Sequence, residues 1–393
     1  MDLSMICTFM DKMSEKRTPG CAISVYHGGK EVLRYATGVR DLKTKAPMTG
    51  KEHFNIYSCS KPMTAAAALT LLEKGAFLLS EPLSDYMPEY KTMYIKDANG
   101  TVRKAQNPIT IGNLFDMTAG LHYNLECPAI QKAHEETNGK MDTVSVARLL
   151  AEEPLSYEPG TSWGYSLAHD VLAGLCALIA DMPFREYVKK TIFDPLEMGN
   201  TVYHHTEEIK NNLATQYMFM PYEGEAAADA VEGQMSLAGD GYFKEIGQDV
   251  PYVFGPEYDS GGAGITTTVE DYGKFAAALG GGGKGVNGAR ILSPATVRLM
   301  HQNRLTDAQR AKLFQPHLAP YGYGLGVRTL MEPEKDGALA PKGEFGWGGA
   351  AGANLYADTE TNTGIFFVQH TRSPREPWYQ PRIRNVCYAA LGR

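Results

Sequence analysis

A proline at the mouth of an alanine- and leucine-rich stretch limits where a helix can begin. The stretch is Phe54-Asn55-Ile56-Tyr57-Ser58-Cys59-Ser60-Lys61-Pro62-Met63-Thr64, followed by Ala65 to Leu72. Its composition is strongly helix-forming, and Gly75 offers a stop. Proline is tolerated only in a first turn, where backbone N–H groups lack intrahelical partners. Ser58 therefore belongs at or just before that turn. Lys61, three residues later, lies on the same face. A hydroxyl and an amine so placed, at the positive end of a buried helix, form a nucleophile and a base.

A serine hydroxyl is a poor nucleophile until a neighbour takes its proton. A lysine takes it only when its amine is neutral, and burial or a nearby positive field disfavours the ammonium. A helix N-terminus supplies such a field, and its free N–H groups can hold an oxyanion. The competing reading is a capping Ser58 and a solvated Lys61. Because S-x-x-K is a short pattern, the rest of the chain has to decide.

The chain has 393 residues, which predicts two domains or subdomains. It is 43% apolar and 21% charged, as soluble globular proteins are. A net charge of −7 argues against nucleic acid or an acidic membrane as partner. No run approaches the apolar length of a membrane span. Met1-Asp2-Leu3-Ser4-Met5-Ile6-Cys7 lacks a basic start and a long apolar run, so no signal peptide is read. Cys7, Cys21, Cys59, Cys127, Cys176 and Cys387 show no C-x-x-C spacing. Reduced thiols in a cytoplasmic protein are expected, not a disulfide framework or zinc site.

Residues 3–16 predict a helix. Cys21 to Tyr26 reads as a strand, His27-Gly28-Gly29-Lys30 as a hairpin turn, and Glu31 to Ala36 as the returning strand. Helices are expected over 59–74, 109–118, 143–151, 166–180, 184–192 and 268–279. Residues 203–250, rich in Tyr, Met, Ala and Gly, read as a lid-like insertion. Strand character returns at Tyr323 to Thr329, Gly343 to Gly346, Ala353 to Ala357 and Gly364 to His370, before a terminal helix near 380–391. The expected organisation is a mixed α/β domain from residues 1–60 and 260–393, with a mainly helical domain, 61–259, inserted in it. The run Gly280-Gly281-Gly282-Gly283-Lys284-Gly285 is no phosphate loop, because no Ser or Thr follows the lysine.

Two further segments carry chemistry. Pro159-Gly160-Thr161-Ser162-Trp163-Gly164-Tyr165-Ser166-Leu167 precedes an apolar helix and puts Tyr165 where a loop enters it. A phenol in a cleft can accept or relay a proton. Phe345-Gly346-Trp347-Gly348-Gly349-Ala350-Ala351-Gly352 is a glycine-dense strand edge that lets a backbone approach a ligand. Taken singly, each has a plain alternative: a packing tyrosine, and a bulge or tight turn.

Together the three segments resemble the serine β-lactamase and penicillin-binding superfamily. Ile109 to Leu121, Asp194 to Thr201 and Gly262 to Asp271 resemble it too, so the likeness spans roughly residues 15 to 390. It implies an α/β, β-lactamase/transpeptidase-like fold, an antiparallel sheet flanked by helices. Class C β-lactamases and D,D-peptidases usually carry Tyr-x-Asn in the second segment, where Leu167 stands here. Their third segment is Lys-Thr-Gly or His-Thr-Gly, where Trp347-Gly348-Gly349 offers no cation for a β-lactam or peptide carboxylate. Both departures resemble the family VIII carboxylesterases and related acyltransferases. The resemblance implies Ser58 as nucleophile and Lys61 with Tyr165 as the proton-transfer pair. It also implies an oxyanion hole from the Ser58 and Ala350 N–H groups and a pocket wall at Trp347, Gly348 and Gly349. His122 and Tyr123, after the Thr-Ala-Gly segment, are candidate pocket residues.

Gly160-Thr161-Ser162-Trp163-Gly164 also matches G-x-S-x-G, the nucleophile elbow of α/β-hydrolases. That elbow needs a core strand before it, and Glu153 to Pro159 holds two prolines and two acids instead. The match reads as accidental. The expectation is a serine esterase acting on small or short-chain esters, with no metal or cofactor; the histidines match no zinc spacing. A β-lactamase or D,D-peptidase, an acyltransferase, and a non-catalytic binding protein are the alternatives. Substrate identity and oligomeric state stay open.

Overall fold

A computed structural model describes residues 1–97, 99–221, 241–248, 250–313, 315–372 and 376–392. Strands from both ends of the chain meet in one seven-stranded sheet. Its order is Lys30–Gly38, Gly20–His27, Thr363–Gln369, Ala353–Asp358, Phe345–Gly349, Arg328–Leu330 and Tyr321–Tyr323. All neighbouring strands run antiparallel, with Val25 opposite Ile365 and Gly349 opposite Ala353. This is the β-lactamase/transpeptidase-like arrangement of an antiparallel sheet flanked by helices.

Both faces of the sheet are covered, so the inner strand Thr363–Gln369 is buried along its whole length, not at alternate residues. Side chains of adjacent residues leave a strand on opposite faces. Phe366 meets Tyr272 of the helix Val269–Gly280, at 4.3 Å between ring centroids. Phe367 meets Tyr379 of the terminal helix Glu376–Ala390 on the other side. That second face also carries the N-terminal helix Ser4–Lys16, whose Phe9 stacks on Trp378.

In the chain, the first core helix, Ser60–Glu73, follows the N-terminal strands of the sheet and precedes the C-terminal ones. Nearly all of it is buried, which explains why it is apolar all round and not amphipathic. Ala65, Ala66, Ala67 and Ala68 are wholly inaccessible, and these small side chains let neighbours approach closely. It packs against the second core helix, Ala168–Ala180, which in turn packs on Thr143–Leu149. Gly174 makes that second contact possible: a Cβ there would lie 2.4 Å from the Ala147 Cβ.

Three sequence expectations need correction. The segment 323–329 is not one strand. Tyr321–Tyr323 and Arg328–Leu330 form a hairpin, because Gly326 adopts a positive φ of 80° and turns the chain. The terminal helix begins at Glu376, earlier than 380, and contains Pro381. Pro128–Thr137 forms a helix that the expected set of helices left out. Within 203–250, residues 222–240 and 249 lie outside the described residues. The described part pairs Tyr217–Pro221 with Gly241–Glu245.

Candidate active site

The first core helix is entered through a tight turn over Tyr57–Cys59. Tyr57 has a φ of 47°. A bulky residue holds that left-handed conformation at a cost of order 1–3 kcal/mol, so its surroundings must fix it. The Tyr57 hydroxyl donates to Gln216 Oε1 at 2.6 Å, and its ring meets Tyr252 edge-on. The bend turns the half-buried Ser58 toward a cavity of about 270 Å³.

The glycine-dense strand closes on the same turn. A Cβ at Gly349 would lie 2.0 Å from the Ile56 carbonyl oxygen, so no larger residue permits this approach. The Cys59 thiol donates to the Trp347 carbonyl at 3.2 Å. Ser58 and Ala350 thereby reach one cavity, together with Trp347, Gly348 and Gly349.

Tyr165 and Ser58 line the same cavity, and the Tyr165 phenol accepts from Trp347 Nε1 at 3.3 Å. Its ring stacks on Tyr123 at 5.3 Å and on Trp347 at 5.7 Å. Burial raises the phenol above its ordinary pKa; the Ser58 hydroxyl and the Trp347 N–H act in the opposite sense.

Lys61 is wholly buried beside this group. Its Nζ donates to the Gly262 carbonyl at 2.8 Å and to the Tyr123 hydroxyl at 3.5 Å. It lies 4.6 Å from the Tyr165 ring centroid. Burial pulls the amine down to about 8, against the Asp170 carboxylate, which favours the ammonium. Asp170 Oδ1 accepts from Tyr258, Ser260 and the Gly262 N–H. Its Oδ2 has no hydrogen-bond partner among the described residues. Both that oxygen and Lys61 Nζ crowd Gly262: a Cβ there would stand 2.5 Å from the first and 3.2 Å from the second.

Tyr123 lines the cavity, whereas His122 turns away to Glu153 at 3.5 Å. His122, Cys127 and Glu153 place ligand atoms within 4.8 Å of one another, a set able to hold a metal ion. Glu153 also accepts from the Ala129 N–H at the start of the helix Pro128–Thr137, so it already serves that helix end. Ser162 is not among the residues lining the cavity, and no core strand precedes it.

Sequence reasoning passed over Asp170, Tyr252, Arg328 and Glu376. An acid inside the otherwise apolar run 168–180 was the available signal for Asp170. Nothing local marked Tyr252 or Glu376. Burial pushes the Glu376 carboxyl up to about 7, against the nearby Arg328 guanidinium.

The chain matches the Beta-lactamase family over residues 5–385. It belongs to that family. It is 31% identical to Protein Rv1367c of Mycobacterium tuberculosis, covering 89% of this chain and 86% of that one. It is 26% identical to Esterase EstB of Burkholderia gladioli, covering 92% and 88%. Among solved structures it is similar to EstCE1, a hydrolase with promiscuous acyltransferase activity. The TM-score is 0.75 at 25% identity, covering 98% of each chain. The family assignment and the esterase relatives make this chain a serine hydrolase. Among the described residues no helix is long and apolar enough to cross a membrane.

Proposed function

We propose that the protein is a carboxylesterase that hydrolyses small or short-chain esters through an acyl-enzyme on Ser58. The observation that carries this reading is the wholly buried Lys61 amine 4.6 Å from the centroid of the Tyr165 ring, with Tyr165 and Ser58 lining one cavity. The similarity to EstB and EstCE1 supports it.

The Ser58 oxygen attacks the ester carbonyl as its proton leaves toward Tyr165 and Lys61. With the amine near 8, roughly one lysine in ten is neutral at pH 7, enough to act as base. The phenol, raised by burial, does not rest as phenolate; it relays a proton as the bond forms. The N–H groups of Ser58 and Ala350 hold the tetrahedral oxyanion. Collapse breaks the C–O bond, and the same pair returns the proton to the departing alcohol. Water then attacks the acyl-enzyme, releasing the acid and restoring Ser58.

Acyl transfer to a second alcohol differs only in the final nucleophile. The promiscuous acyltransferase activity of EstCE1 lends that reading its support. Intact-mass spectrometry after mixing with p-nitrophenyl butyrate and, separately, a cephalosporin tests the proposal. One butyryl group on the peptide containing Ser58 is expected. A persistent cephalosporin adduct without ester turnover would assign the site to β-lactams instead.

A further inference from the structure

We propose that the cavity beside Ser58 contains a binding site for a cationic nitrogen, formed by the Glu376 carboxylate and the surrounding aromatic rings, and that esters bearing such a group are preferred. The proposal deepens the esterase reading and rests on it only in taking the ligand to be an ester.

Glu376 opens the terminal helix and lines the cavity. Its carboxyl lies against Gly348: a Cβ at that position would stand 2.1 Å from Glu376 Oε1. The carboxyl from the end of the chain thus occupies the space a side chain at position 348 would fill. Glu376 makes no hydrogen bond or ion pair with another described residue. The other buried charges nearby are met. Arg328 faces Glu344 at 3.6 Å and lies over the rings of Tyr321 and Tyr356. Arg384 pairs with Asp336 at 2.8 Å. Three carboxyls, Asp336, Glu344 and Glu376, thus share two guanidiniums, Arg328 and Arg384, the latter acting on Glu344 as well as Asp336. Ionisation of all three leaves one negative charge over, and Glu376 is the carboxyl that lines the cavity, where Arg328 lines it too.

The other walls suit the same ligand. Tyr123, Tyr165, Tyr252 and Trp347 line this cavity. Aromatic faces attract cations, most strongly where water is excluded. A carboxylate with several rings around it is the combination that recognises alkylammonium groups. A substrate carboxylate would meet Glu376 with like charge.

The test is calorimetric titration of the Ser58→Ala protein with two isosteric ester pairs. Butyrylcholine against 3,3-dimethylbutyl butyrate puts the cation in the alcohol. Ethyl 4-(trimethylammonio)butyrate against ethyl 5,5-dimethylhexanoate puts it in the acyl part. The cationic member of at least one pair should bind about tenfold more tightly or better. Glu376→Gln in the same background should bring that ratio close to one, and Glu376→Asp should retain most of it. Equal or tighter binding of the neutral member in both pairs would overturn the proposal, as would a preference that survives Glu376→Gln. The ratio is read within each protein, so a general loss of stability does not imitate the result. Hydrolysis of these esters by the Ser58→Ala protein would instead refute the assignment of Ser58 as nucleophile, leaving the cation site standing.

Discussion

The Lys61 amine lies 4.6 Å from the centroid of the Tyr165 ring, and that phenol shares its cavity with the Ser58 hydroxyl. The tyrosine thus adjoins both the hydroxyl proposed as nucleophile and the amine proposed as base. Tyr165→Phe removes the relay and keeps the stacked ring. We expect kcat for p-nitrophenyl butyrate to fall by about 10²–10⁴-fold with a much smaller change in KM. A fall below tenfold would remove Tyr165 from the proton path.

Lys61 sets a pH dependence. Its amine is pulled down to about 8 in the folded protein, so the active, neutral form increases as pH rises through that value. kcat/KM should climb along an acid limb with a midpoint close to 8. The Asp170 charge favours the ammonium, so Asp170→Asn should move that midpoint lower. Stability follows with its own sign. Between about 8 and the ordinary lysine value of 10.5 the unfolded chain binds more protons at this position than the folded one. Stability attributable to Lys61 therefore rises with pH across that window and is level below it. The difference in melting temperature between the wild type and Lys61→Met, followed against pH, reads this directly; a difference that is flat from 8 to 10.5 contradicts it.

The two serines in motif-like settings separate cleanly. Ser58→Ala should abolish ester turnover and labelling by a fluorophosphonate probe, while Ser162→Ala should keep both. Ser162 is absent from the cavity lining, and the chain before it forms no core strand. An inactive Ser162→Ala beside an active Ser58→Ala would reverse the assignment.

Gly349→Ala tests the close approach behind the proposed oxyanion hole. The added methyl would meet the Ile56 carbonyl at 2.0 Å, far inside contact distance. Overpacking of this kind costs about 1–3 kcal/mol. We expect a lower urea midpoint and a loss of kcat that exceeds the loss of stability, since the strand must retreat from Ser58. A variant with wild-type kcat would show that the Ala350 N–H plays no part in the reaction.

The parts of this site that could be read from the chain lie within a few residues of one another. Ser58 lies in the tight turn that leads directly into the helix holding Lys61 and Pro62, so spacing and proline chemistry suffice to relate them. Tyr165 and the Trp347-Gly348-Gly349 run were found by the order of their segments. Asp170, Tyr252 and Glu376 were missed because the relation of each to Ser58 crosses a large separation in sequence. The split of 321–330 into two strands was missed for a different reason: Gly324 and Gly326 look like strand residues until a positive φ places the turn between them.

The sequence by itself determined where the first core helix begins, which hydroxyl and amine stand at its mouth, and that the chain has a β-lactamase-like order of segments. Those follow from local rules: proline lacks an N–H, and helical neighbours recur every three or four residues. Tertiary structure alone decided the charge inside the cavity. It brought Asp170 against Gly262 beside Lys61 and Glu376 against Gly348 near Ser58. The pKa of a buried group depends on what surrounds it in space, and at Lys61 and Glu376 packing between distant elements supplies the surroundings.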